Sequence, residues 1–270
     1  MTKLEYKNKK WDKEEKTLRQ FLKSVGGKLA GENNLEAAQE QVTSLPRTDW
    51  RYASFLCAAA RNYTSMAQDR YLLDQSDWRA VDYTWLAAFC RTLAEELDCR
   101  EDPADPLFGL EMTRYQFIAT GEEDAPCLRD RDSVAAMVFS GEYDRAAALL
   151  VEVEEDDSLE EGSLYLEPPC LKRIYNALLE KDETGFHEEL ARRIKKYRRN
   201  MAGYSPVIDT VSVALVKLAD RAGLCCRLDV IEVPKLFFRP EHHIPKETLR
   251  PPLWEEIAAA LQAKREEQDG

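Results

Sequence analysis

The sequence predicts an all-α protein, a multi-helix bundle of αα-hairpins with one short extended segment near 226–233. Three observations predict it. Gly and Pro are sparse, 11 and 12 of 270 residues, while hydrophobic residues make up 44% and charged residues 33%. That balance suits helices better than short strands joined by Gly/Pro turns. Apolar residues also recur at three- and four-residue steps, and capping residues and Gly or Pro stops punctuate these runs.

The first helix covers Trp11 to Leu29, with Leu18, Phe21, Leu22, Val25 and Leu29 at helical spacing. Asn33 or Asn34 caps a second, which Pro46 stops after Leu45. Asp49 caps a third, with Trp50, Ala53, Cys57, Ala58 and Ala60 inward. Ser76 or Asp77 opens a fourth, whose buried face is Val81, Trp85, Ala88, Phe89, Thr92 and Leu93. Asp102 to Pro106 reads as a loop.

Ser133–Phe139 and Tyr143–Val151 form a helical hairpin around Ser140-Gly141. The string MVFSGEYDRAAALL has the cadence of a tetratricopeptide-type inner turn, but no second copy at a fixed period is visible. A further helix runs from Pro169 to Lys181, with Leu171, Ile174, Tyr175, Leu178 and Leu179 inward. Asp182 or Thr184 caps the next, which carries Phe186, Leu190 and Ile194 at four-residue steps. Ser205-Pro206 starts another, through Ala222, and Gly223 ends it. Cys225 to Val233 runs extended, and Leu253 to Lys264 is the last amphipathic helix.

Between the hairpin and the Pro169 helix lies EVEEDDSLEE, in which seven of ten residues are acidic. Such dense charge cannot be buried unpaired. The segment 152–162 therefore reads as a surface linker between an N-terminal helical half, 1–151, and a C-terminal half, 163–270, within either two domains or one continuous one. The acids are Glu152, Glu154, Glu155, Asp156, Asp157, Glu160 and Glu161. They serve either solubility or contact with a basic partner, such as an Arg-rich nuclease site.

The net charge of -12 argues against a nucleic-acid partner, which wants a positive surface, and fits long-range steering of a basic protein. Seven scattered cysteines form no disulfide framework. The start has no apolar signal core, and no run reaches the length of a membrane span. The expectation is a cytoplasmic protein without membrane contact.

Chemistry-bearing patterns are thin. His187 with Glu188 and Glu189 resembles part of a zinc-protease helix, but position 191 is Ala where the second ligand belongs. His242-His243 and Cys225-Cys226 are adjacent pairs, whereas zinc pairs stand two to four residues apart. Gly26-Gly27-Lys28 lacks the upstream Gly and the following Ser/Thr of a phosphate loop. Three histidines leave few bases for nucleophilic catalysis, and paired carboxylates arise by chance among 50 acidic residues. No catalytic residue, metal or cofactor is expected. Arg192, Arg193, Lys195, Lys196, Arg198 and Arg199 form the basic cluster, read as a solvated face near a helix C-terminus or as a partner for the 152–161 acids.

From Ala177 to Phe238 the chain runs ALLEKDETGFHEEL, a basic helix, VALVKLADRAGL and the exit DVIEVPKLFF. This order resembles the immunity protein 49 family, the helical immunity proteins of bacterial polymorphic toxin systems. The resemblance covers about a quarter of the chain. It implies a non-enzymatic protein that binds and neutralises a cognate toxin domain, protecting the producing cell. The alternative is a helical-repeat-like adaptor or chaperone for a basic protein partner, without toxin relation.

Overall fold

The computed structural model describes residues 16, 20, 30–44, 49–97, 106–129, 133–152, 168–200, 207–226, 228–239 and 248–269. Among them are ten α-helices and no strand. The all-α prediction holds. The expected first helix, 11–29, lies almost wholly outside the described residues.

Helix α1 is Ala30–Ser44, α2 Asp49–Leu73 and α3 Arg79–Glu96. The start of α1 precedes Asn33 and Asn34, so neither is its cap. Helix α2 packs against both α1 and α3. Its buried residues, including Phe55, Leu56, Ala59, Ala60, Tyr63 and Leu72, therefore wrap beyond one face. Cys57 and Ala58, expected inward, are only half-buried. Asp77 does mark the start of α3: its Oδ1 accepts the Arg79 backbone N–H at 3.2 Å. Trp85, Ala88 and Leu93 are buried as expected, while Val81, Phe89 and Thr92 are half-buried.

Helix α4, Pro106–Thr120, was not foreseen. Its residues 113–120 are all buried, polar Thr113, Arg114, Gln116 and Thr120 included. A stretch of helix buried on every side has no amphipathic stripe to announce it. The Tyr115 and Tyr175 hydroxyls meet inside at 2.9 Å.

Helices α5, Val134–Phe139, and α6, Tyr143–Glu152, form the expected hairpin, with Ser133 capping α5. A second hairpin follows: α7, Pro168–Leu179, and α8, Glu183–Asn200. Its turn repeats the first bond for bond. Glu142 N–H donates to Met137 O at 2.8 Å, and Asp182 N–H to Ala177 O at 2.8 Å. Gly141 and Lys181 share the left-handed conformation, φ 78° and 59°. Ala146 and Phe186, each fully buried, follow at the same place. The same bonds and left-handed residue also close α4 at Gly121 and the helix Thr210–Arg221 at Gly223, so they mark a common helix C-cap and not a repeated unit. Gly185 lets Asp182 accept its backbone N–H at 2.9 Å, because any Cβ there would run into that carboxylate.

Helix α9, Thr210–Arg221, starts later than Ser205-Pro206, with Asp209 as its cap. Gly223, φ 86°, closes it as expected. Helices α5 to α9 pack each on the next, and α9 returns to α5. The hairpins therefore close a ring instead of extending as an array. After Gly223 the described residues form neither helix nor strand up to a turn at 231–232 and a 3-10 turn, Lys235–Phe238. Among the described residues there is no strand to pair with it. Helix α10 is Trp254–Asp269, longer than expected at its C-terminal end.

The chain forms two compact units, one containing Arg114–Phe238, the other Thr17–Thr113 and Arg239–Gly270. The expected linker, 152–162, lies outside the described residues beyond Glu152. In the second unit, Arg265 of α10 pairs with Glu96 of α3 at 2.8 Å, and Trp254 lies 5.8 Å from Phe89.

Candidate functional site

Among the described residues, charge is most concentrated along α8. Its basic cluster is not one solvated face. Arg192 and Lys195 are exposed, but Arg193 and Arg198 keep only 7% and 4% of their surface. Both reach the segments that flank α9. Arg193 Nη2 meets Asp209 Oδ1 at 3.0 Å. Arg198 grips Glu232 at two points, Nε to Oε1 at 2.5 Å and Nη2 to Oε2 at 2.6 Å. Glu232 is fully buried.

The two acids are joined through the backbone, Asp209 N–H donating to Glu232 O at 2.9 Å. Asp209 also accepts the Ser212 hydroxyl at 2.6 Å and the Ser212 N–H at 3.3 Å. Tyr197 donates to Ile208 O at 3.1 Å. One polar network therefore anchors the start of α9 and the irregular exit to α8. With each charge matched and hydrogen-bonded, it acts as a structural lock. The sequence hinted at it twice. Asp209 precedes an apolar run, and Glu232 is a lone acid inside VIEVP, where burial demands a partner. Nothing in the basic cluster itself marked Arg193 and Arg198 as inward.

The adjacent cysteines have different surroundings. Cys225 is exposed and Cys226 buried, so the two diverge. Cys226 Sγ stands 4.0 Å from His187 Nδ1. Burial, aided by Asp220, Cys225 and Glu183, pushes its thiol up to about 12, which leaves little thiolate at neutral pH. His242 and His243 lie outside the described residues. Among the described residues, no group of three or more His, Cys, Asp or Glu is placed to hold a metal ion.

Of the acidic run, Glu152 ends α6, and Glu154, Glu155, Asp156, Asp157, Glu160 and Glu161 lie outside the described residues. Just before it, Val151 is 80% exposed, the one large apolar side chain so exposed among the described residues.

Two carboxylates in the other unit escaped sequence reading. Asp82 of α3 retains 8% of its surface, and burial, with Asp77 adding to it, raises its pKa to about 7. Burial raises Asp69 of α2 to about 6, against the pull of Arg70.

Among the described residues, no helix is long and apolar enough to cross a membrane. No protein-family model, no curated protein and no solved structure matches the chain.

Proposed function

We propose that the chain is an immunity protein that binds a cognate bacterial toxin domain and neutralises it without turnover, in the cytoplasm of the producing cell. The observation that carries the reading is the helix order from α7 to Phe238. A hairpin with a basic second helix is followed by a small-residue helix closed at Gly223 and by an exit locked through Glu232. This is the stretch that resembles the immunity protein 49 family. The charge of -12 supports a basic toxin as partner, since it speeds encounter and favours that partner over acidic ones. The acids from Glu152 to Glu161, next to exposed Val151, are the proposed contact.

Co-expression with the product of the adjacent reading frame tests this. The reading expects that product to be lethal alone and harmless with this chain. A product harmless alone, or lethal in both cases, defeats it.

The consecutive αα-hairpins favour a second reading, a helical adaptor for a basic protein unrelated to toxins. Their closure into a ring by α9 leaves no open array to hold a peptide, and the immunity reading is preferred.

A further inference from the structure

We propose that the α2–α3 hairpin is a pH-sensitive element, weakened when the buried carboxylate of Asp82 ionises. The geometry sets the sign. Asp82 lies within α3, and among the described residues no donor hydrogen-bonds to it. Asp77, just before the helix, repels its charge; Arg79 attracts it but already holds Asp77 through Nη2 to Oδ2 at 2.6 Å.

Among the described residues, the neighbouring elements offer no spare cation. From Tyr63 to Ser76, on α2, the helix packed along α3, and in the turn after it, the titratable groups are Tyr63, Asp69, Arg70, Tyr71 and Asp74, the last held by Ser76. Tyr63 stacks on Tyr83 with centroids 5.9 Å apart, and burial raises its hydroxyl pKa, which keeps it neutral. Arg70 is engaged by Glu32 of α1 at 2.6 Å. Asp69 adds a second desolvated carboxylate.

The folded hairpin therefore binds protons that the open one releases. A carboxyl whose folded pKa is raised contributes stability below its unfolded pKa, and that stability is lost as pH rises through the folded pKa. For Asp82 the window runs from the ordinary carboxylate range up to about 7, with Asp69 acting in the same direction at about 6.

Native-state hydrogen exchange of the full chain between pH 6 and 8, corrected for intrinsic chemistry, reads the effect. The opening constant of amides in α2 and α3 should rise about tenfold across that range, as one proton linked to a pKa near 7 requires. Amides of α7 and α9 should show no such rise, and Asp82→Asn should cut it to the roughly twofold rise that Asp69 supplies. A flat wild-type profile, an equal rise in α7 and α9, or a rise left undiminished by the substitution would overturn the proposal. Carboxyl-carbon NMR titration of wild-type protein decides the matter if the variant does not fold. A midpoint well above the ordinary carboxylate range supports the device, and one near 4 overturns it.

Discussion

Arg198 and Glu232, 34 residues apart, meet as a buried two-point ion pair whose N–O distances are 2.5 and 2.6 Å. The pair turns a segment without regular structure into part of the core, because Val233, Leu236 and Phe237 are buried beside it. Removing one partner strands the other charge in a dry site. Glu232→Ala should therefore cost about 3–5 kcal/mol of stability. The double variant Arg198→Met, Glu232→Leu should recover most of that loss, since apolar replacements of a buried pair are often neutral or better. Denaturant unfolding of both variants measures it. A loss below about 1 kcal/mol for Glu232→Ala would mean the site is wet.

The glycines that end two helices give a second prediction. Gly141 and Gly223 hold φ of 78° and 86° with open space where a Cβ would stand. Gly→Ala at either position should cost about 1–2 kcal/mol from backbone strain alone, without a clash. Thermal unfolding of the single variants reads this. Equal stability to wild type would show that the turns relax.

How much of this was legible follows from period and surroundings. Helices with one wet face were readable, as Phe186, Leu190 and Ile194 illustrate on α8; all three are buried. Helix α4 was not, because Arg114 and Gln116 are buried beside Tyr115 and Phe117, which erases the polar face. In the basic cluster, sequence showed charge but not direction. Only the position of Asp209 and Glu232 in space separates Arg193 and Arg198 from exposed Arg192 and Lys195.

Cysteine reactivity should divide the neighbours Cys225 and Cys226. Cys225 is exposed, while Cys226 is buried and its thiol is pushed up to about 12. Brief alkylation of native protein at pH 8 should label Cys225 and spare Cys226 and the buried Cys90, as peptide mass analysis would show. Rapid labelling of Cys226 would mean the exit segment opens readily.

The acidic run gives a kinetic prediction. Replacing Glu154, Glu155, Asp156 and Asp157 by Ser removes four negative charges. If these acids face a basic toxin, association at low salt should slow by about tenfold or more while dissociation changes less. Stopped-flow or surface binding measures both rates. An unchanged on-rate assigns the run to solubility and moves the interface elsewhere.

The central claim is stoichiometric neutralisation, and titrating the purified toxin domain with purified protein tests it most directly. The account predicts toxin activity that falls in proportion to added protein, reaches zero near one equivalent and returns when the complex is separated. Loss of activity at a small fraction of an equivalent, growing with time, would reveal an enzyme. Full toxin activity at excess protein would contradict the account outright.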